Sequence, residues 1–334
     1  MSVAPLVAVV IPCRNEAGTI AHVLDALIVQ TRRPDAVVVV NDASHDETAG
    51  VTSAWAAAHP ELPLDLVAGT GRGVAAAVNT GIAATAADII VRLDGHCRPR
   101  ADYIARSLES LNHPGAGVVG GVWRIESGAP TGVARGIAAV LSHPLGAGGV
   151  AYRQVTGGAP RAVDTVPFGA FRRTLWETLN GFDESLLRNE DYDFNHRTRL
   201  AGFEVVLDPS TVSIYRARAT LSALWRQYFA YGFWKVVMLR KFPASLRLRQ
   251  FLPVLLLPSL VILALWTAAT GASLPLLCGA SYVAVNVAAG LQTAVRARDL
   301  GLVVPATAAL LTLQIGWSVG AWVSLLRGPR AATG

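Results

Sequence analysis

A carboxylate and an imidazole separated by one glycine, Asp94-Gly95-His96, close a short aliphatic run from Ile89 to Leu93. Such a run reads as a buried strand, and the glycine lets the backbone turn sharply and approach a ligand. Asp94 and His96 can then face one side as a ligand pair for a divalent cation. Carboxylate plus imidazole suits Mn²⁺ or a similar borderline ion, whereas Mg²⁺ leans more on oxygen and water. In isolation the same tripeptide reads better as a polar turn after a strand; its neighbours shift that balance. A second charged cluster, Arg188-Asn-Glu-Asp-Tyr-Asp193, opens a helix that continues to Gly202. Acids in a first helical turn are ordinary partners of the helix dipole. The doublet Glu190-Asp191, after a glycine-hinged segment, also suits a general base aimed into a cleft.

The elements that must position these groups follow from the chain in order. Val7–Ile11 reads as a strand closed by Pro12, followed by the loop Cys13-Arg-Asn-Glu16 and an amphipathic helix over 19–30. Val37–Val40 is a second strand ending at Asn41-Asp42-Ala-Ser44. Ser44 and Glu47 have capping-box spacing, which predicts a helix from there to Ala58. A third strand, Leu64–Val67, leads through the turn Gly69-Thr-Gly-Arg-Gly73 into an alanine-rich helix ending near Ala86. With Ile89–Leu93 as the fourth strand, the alternation predicts a parallel sheet with helices on both faces. Ligands of such sheets bind beyond the carboxyl ends of the strands, where Asp42, the glycine turn and Asp94 all fall. Gly69-x-Gly71 is not a dinucleotide fingerprint: Val74 stands where the third glycine belongs, and the turn follows the third strand. Beyond it, Val118–Trp123 reads as a strand and Gly132–Leu141 as a helix. Gly146–Gly158 reads as a mobile loop over the site, and Phe168–Arg173 leads into a further helix.

Composition divides the chain. It has 334 residues, 52% of them hydrophobic and 16% charged, with mean hydropathy +0.41. That is too apolar for an ordinary soluble enzyme, and the excess lies in three long runs after Phe251. Between Asp208 and Asp299 there is no acidic residue, but Arg216, Arg218, Arg226, Lys235, Arg240, Lys241, Arg247 and Arg249 all occur. A basic belt before apolar spans suits anionic lipid headgroups rather than nucleic acid. Cys13, Cys97 and Cys278 are too scattered for a disulfide framework or a zinc cluster. The N-terminus has no basic n-region and its apolar run stops at Pro12, so no signal peptide is expected.

Taken together, Val9-Val-Ile-Pro-Cys-Arg-Asn-Glu16, Val40-Asn-Asp-Ala-Ser44, Leu93-Asp-Gly-His96, Asn180-Gly-Phe-Asp-Glu184 and Arg188-Asn-Glu-Asp191 resemble glycosyltransferase family 2. The D-G-H form, with Arg226-Gln-Tyr-x-x-Tyr-Gly232 ahead of an apolar tail, looks like the succinoglycan-type bacterial glucosyltransferases. The resemblance implies a GT-A nucleotide-diphospho-sugar transferase fold and an inverting mechanism. It implies that Asp94 and His96 bind Mn²⁺ or Mg²⁺, and that Asp191 is the catalytic base with Glu190 beside it. Pro12, Asn15, Glu16, Asp42, Arg72 and Asp94 would form the nucleotide-sugar site, with Asp42 accepting from a uracil ring. Arg226 and Gln227 fall in the acceptor and diphosphate region. There the processive relatives carry Gln-x-x-Arg-Trp, which this chain lacks, so transfer of a single sugar is expected.

The implied organisation is a catalytic domain over 1–215, a basic and aromatic segment over 216–250, and three transmembrane helices within 251–330. The apolar runs 251–270, 274–295 and 302–326 are each about 20 residues or longer, enough to cross ~30 Å of hydrocarbon. Trp225, Tyr228, Tyr231 and Trp234 recur every three residues, either as an interfacial helix face or as a core stripe. Positive residues stay inside, so three crossings put the C-terminus outside, with Arg327 and Arg330 against the rule. The expected protein is a multi-pass enzyme of the cytoplasmic membrane with its catalytic domain in the cytoplasm. Its donor would be a UDP-sugar and its acceptor a lipid-linked saccharide or a polyprenyl diphosphate carrier, with other envelope-glycan enzymes as possible neighbours. Two alternatives stay open: a transferase that loads polyprenyl phosphate, and a non-catalytic membrane scaffold of the same fold.

Overall fold

The computed structural model describes residues 4–154, 157–243 and 248–327. In chain order the first elements are β1 (Val7–Cys13), α1 (Ile20–Ile28), β2 (Ala36–Asn41), α2 (Thr48–Ala58), β3 (Leu64–Ala68), α3 (Val74–Ala83) and β4 (Ile89–Arg92). Next come β5 (Arg98–Pro99), α4 (Tyr103–Leu111), β6 (Ala116–Glu126), α5 (Gly132–Val140), α6 (Pro144–Ala147), α7 (Ala151–Gln154) and β7 (Arg161–Ala162). The chain continues through β8 (Ala170–Arg172), α8 (Arg173–Thr178), α9 (Glu190–Leu200) and β9 (Glu204–Arg216). The helices α10 (Leu221–Lys241), α11 (Leu248–Thr270), α12 (Leu274–Arg296) and α13 (Val303–Arg327) complete it.

Contacts divide the chain into two compact units, Met1–Arg124 with Val155–Tyr215, and Ile125–Gln154 with Arg216–Gly334. The sheet of the first unit has the order β3-β2-β1-β4-β8-β6-β9-β5, with β7 paired to β9. β1, β2, β3 and β4 are parallel, as the apolar runs and short connections predict. β1 is buried along its whole length because helices cover both faces. Alternate residues point to opposite faces: Val7, Val9, Ile11, Val37 and Val39 share a core with Ile20, Leu24 and Leu27 of α1. On the other face α3 comes so close that a Cβ on Gly81 would lie 2.5 Å from Val10 Cγ1.

From β4 onward the pairing changes. β8 inserts antiparallel between β4 and β6, and β9 takes β5 and β7 antiparallel. Several expectations are corrected locally. β1 runs past Pro12, which sits buried opposite Val40, to Cys13. The Ser44/Glu47 capping box does not form, since α2 starts at Thr48 and Ser44 Oγ instead accepts from the Asn15 amide at 3.0 Å. The segment 146–158 is not simply a loop: α6 and α7 occupy it and group with the second unit, while residues 155–156 lie outside the described residues. Arg247 and Arg330 also lie outside them.

In the second unit Tyr228 and Trp234 are buried, and Trp225 packs against Gly316, so the aromatic stripe of α10 is packed against protein. Two helical stretches are long and apolar enough to cross a membrane, Pro275–Arg296 and Leu300–Arg327; Val254–Thr270 is a shorter apolar helix.

Candidate active site

The functional side chains of the first unit converge at the carboxyl edge of the parallel strands. Strand β1 delivers the first loop there, and the β2–α2 loop holds it. Asn15 Oδ1 accepts from the His45 amide at 2.8 Å, and the Glu16 amide donates to Thr48 Oγ1 at 2.8 Å. Asn15 lies in the left-handed region, with φ 58°, a conformation that asparagine tolerates better than most residues.

Strand β4 delivers Asp94 and His96. His96 Nδ1 lies 2.8 Å from Glu16 Oε1, and Glu16 Oε2 accepts from Thr19 Oγ1. A carboxylate only accepts, so the imidazole donates through Nδ1. Carboxylate–histidine pairs of this kind fix the ring orientation of metal-ligating histidines, and the His96–Glu16 pair has that form. Gly95 makes the pairing possible, because a Cβ there would sit 2.8 Å from Cys13 Sγ and 3.0 Å from Glu16 Cγ. Among the described residues no group of three or more His, Cys, Asp or Glu side chains gathers as a metal cage. A pair of ligands completed by the donor's phosphate oxygens is the ordinary way to hold Mg²⁺ or Mn²⁺, and Asp94 with His96 fits that pattern. Cys13 and Cys97 are buried thiols, both pushed well above the usual range chiefly by burial.

Asp42 is buried at the end of β2 and grips the glycine turn. Its Oδ1 accepts from the Gly71 amide at 2.6 Å and its Oδ2 from the Gly73 amide at 3.0 Å. A Cβ on Gly69 would lie 2.8 Å from Asp42 Oδ1. The carboxylate keeps accepting capacity beyond these two bonds. Arg72, at the tip of the turn, pairs with Glu184 at 2.7 Å. Glu184 in turn accepts from Asn79 Nδ2 at 3.0 Å, and Asn79 Oδ1 accepts from the Phe182 amide. The Asn180–Glu184 motif is thus fastened to α3 and to the glycine turn. Its sharp bend uses Asn180 at φ 54° and Gly181 at φ 74°.

The doublet Glu190-Asp191 enters through α9, whose N-cap Asn189 is left-handed. Its link to Asp94 is Arg92, a residue that sequence reasoning passed over. Arg92 is buried in β4, with Nη2 3.1 Å from Asp94 Oδ1 and 2.9 Å from Glu190 Oε1. Its signal was present: a cation inside an apolar strand must find a partner. The partner lies 98 residues away. Asp193 is fully buried and pairs with Arg197 at 2.7 Å. Asp191 forms no ion pair among the described residues, and its Oδ1 accepts only from the adjacent Tyr192 amide.

Burial pushes the Asp191 carboxyl up to about 6, with Glu190 adding to the rise and Arg92 opposing it. The apolar wall responsible is visible: Phe182 stacks on Phe194 at 4.3 Å, Phe171 lies 5.0 Å from Phe194, and the three line a small cavity with Asp191 and Arg92. Asp94, His96, Glu16, Glu190 and Asp191 therefore form one chain of contacts and neighbours through Arg92, with Asp42 and Arg72 on the neighbouring turn. Arg226 and Gln227 lie on α10 in the other unit, Arg226 exposed and Gln227 donating to Tyr231 Oη at 3.0 Å.

Comparison with known proteins bears on this arrangement. The chain is 30% identical to the succinoglycan biosynthesis protein ExoA of Rhizobium meliloti, over 95% of this chain and 94% of that one. It is 34% identical to glycosyltransferase AglE of Haloferax volcanii over 36% of this chain and 40% of that protein. Its fold matches mannosyltransferase PcManGT of Pyrobaculum calidifontis, solved with GDP-Man and Mn²⁺, at TM-score 0.69 and 23% identity over 98% and 89% of the two chains. It also matches GalNAc-T7, solved with UDP, GalNAc and Mn²⁺, at TM-score 0.52 and 15% identity over 72% and 51%. The architecture is the GT-A fold. The family model for glycosyl transferase family 2 matches residues 8–179, and the chain belongs to that family.

Proposed function

We propose that the chain is an inverting hexosyltransferase that moves one glucose from a UDP-sugar to a lipid-linked saccharide in exopolysaccharide or envelope-glycan synthesis. The observation that carries this reading is the division of labour at Arg92. The guanidinium engages Asp94 on the donor side and Glu190 on the acceptor side, and leaves Asp191 without an ion pair among the described residues. Asp191 takes the proton from the acceptor hydroxyl as that oxygen attacks the anomeric carbon, and the bond to the nucleoside diphosphate breaks on the opposite face. A carboxylate held near 6 is ionised at neutral pH yet basic enough for that transfer. Glu190 and Arg92 set its position and its charge environment. A divalent cation, when bound, neutralises charge on the departing diphosphate; Asp94 and His96 are the residues that would hold it, with Glu16 behind His96.

Asp42 keeps the glycine turn in place and offers an acceptor to the N3–H of uracil; Pro12, Asn15, Glu16 and Arg72 frame the rest of the donor site. Residues 1–215 form the catalytic part, facing the cytoplasm where nucleotide sugars are made. The basic segment 216–250 and the apolar helices within 251–330 hold it to the cytoplasmic membrane, with Arg226 and Gln227 on the acceptor side. The likeness to ExoA over nearly the full chain supports the exopolysaccharide setting.

Calorimetric titration of the detergent-solubilised chain with UDP-glucose, other UDP-sugars and GDP-mannose, with and without Mn²⁺, tests the donor. Mn²⁺-dependent binding of UDP-glucose is expected. Binding of GDP-mannose alone would overturn the uridine assignment.

A further inference from the structure

In the helical unit α10 and α13 lie side by side and run in the same direction. Gly316 packs on Trp225, and a Cβ on Gly320 would collide with the Phe229 carbonyl oxygen. Gly232 meets the Trp317 carbonyl, and Arg240 donates to the Ser324 carbonyl at 2.7 Å. Residue numbers rise together along both helices. The basic end of α10, Arg240 and Lys241, is therefore level with the last turns of α13.

The other half of α13 is flanked by α5 and α6. Gly136 abuts Pro305, Arg135 pairs with Asp299 at 2.5 Å, and Gln314 donates to the Leu145 carbonyl at 3.3 Å. The stripe Ala306, Ala309, Leu310, Leu313 and Ala321 is buried against protein. The helices that clothe α13 expose Arg135, Arg226 and Arg240. An arginine at the bilayer centre costs about 2.5–3.5 kcal/mol on insertion scales. Arg135 and Arg240 lie at the two ends of α13, but a crossing would carry Arg226, level with Gly316 midway along it, into hydrocarbon.

α11 and α12 differ. Their halves remote from the connecting turn pack along α13, with Tyr282 meeting Gln314 and Gly290 lying against Thr307 on one side. On the other side Leu257 meets Ser318 and Val254 meets Trp322, so that the part extending beyond α13 runs from about residue 258 to 281. The two helices are joined by a turn at Gly271, with φ 65°. Towards that turn Ile262, Leu265, Leu276 and Leu277 are each 60–64% exposed, a concentration of exposed large apolar side chains that water does not favour. Each helix has 23 residues, about 34 Å at 1.5 Å per residue.

We propose that α11 and α12 are a hairpin that enters the bilayer and returns, while α13 lies with α10 and α5 at the cytoplasmic face. The C-terminus then stays inside. This rests on the membrane-bound reading above and replaces three crossings with an even number. The occupant of the apolar hairpin is lipid hydrocarbon. Arg226, Arg240, Lys241, Arg296, Arg298 and Arg327 all fall on the side of the anionic headgroups, so Arg327 no longer violates the positive-inside rule.

The test fuses green fluorescent protein or alkaline phosphatase after Gly334 of the full chain in a bacterial host, alongside alkaline carbonate extraction of the membranes. The expected result is bright fluorescence, phosphatase activity at background, and a chain that resists extraction. In the same fusions, Leu265→Asp with Leu276→Asp should release the protein into the carbonate supernatant while fluorescence persists. Active phosphatase with dark fluorescent protein would mean an odd number of crossings and overturn the inference while leaving the membrane reading intact. Complete extraction of the unsubstituted chain would overturn the membrane reading itself.

Discussion

Three acids open α9, and the structure gives each a different neighbour: Glu190 meets Arg92, Asp193 meets Arg197, and Asp191, which has no ion pair among the described residues, accepts from the Tyr192 amide. Sequence could show the cluster but not this sorting, because the sorting depends on which cation the fold brings opposite each carboxylate. Asp191→Asn keeps the shape and removes the base, so kcat should fall about 10²–10⁴-fold, the range for general base catalysis, with KM for the donor little changed. A drop in donor affinity with kcat intact would move the role elsewhere. The wild-type kcat/KM should fall as pH drops below about 6, because the base must be ionised and burial has raised its pKa. The same rise has a stability sign. The protonated carboxyl is the form that the fold favours, so this group's contribution is full below the ordinary carboxylate range and is lost as pH rises through about 6. Thermal melts at pH 8 should therefore find Asp191→Asn more stable than wild type, with the advantage gone at pH 4. Arg92→Met leaves two carboxylates facing a buried site without their cation. Breaking a buried pair costs about 3–5 kcal/mol, so this substitution should lower the melting temperature strongly, and adding Glu190→Gln should recover part of the loss.

At the scale of elements, the parallel strands are legible because most of their residues are apolar, Asp65 and Arg92 being the charged exceptions, and because Asp42, Gly69 and Asp94 follow their ends. β8 is not, since three residues carry no periodicity and its place between β4 and β6 is a long-range choice. The capping box failed for a related reason: Ser44 had a better partner in the Asn15 amide, which only the packed sheet supplies. The glycine turn was recognised as special, but its grip by Asp42 was not. Gly73 sits at φ 103°, and a Cβ there would lie 2.9 Å from Leu187 Cδ2. Gly73→Ala should therefore cost about 1–3 kcal/mol through backbone strain alone. It should also raise the donor KM more than it lowers kcat, because the turn borders the donor site. An unchanged KM in steady-state assays would separate the turn from nucleotide binding.

At the scale of the whole molecule, composition distinguishes a globular α/β part from an apolar helical part. It did not show that Ile125–Gln154 joins the helical unit, since that segment is neither notably apolar nor charged. Hydropathy alone does not choose among the helices as spans, because it counts apolar residues without knowing which of them face protein. The catalytic proposal links the donor loops of the amino-terminal half to Asp191 through Arg92, and the cation site is where the two meet. If Asp94 and His96 hold the cation, excess EDTA should abolish transfer and Asp94→Ala should match it. His96→Asp should stay active with its preference moved toward Mg²⁺, since an oxygen ligand is harder. The most direct measurement of the central claim is radiolabelled glucose transfer from UDP-glucose to extracted membrane lipid, comparing wild type with Asp191→Asn at pH 7.5 in Mn²⁺. The wild type should label a lipid-soluble product and the variant should lose at least about 10²-fold while still binding UDP-glucose. Equal labelling by the two proteins would contradict the account.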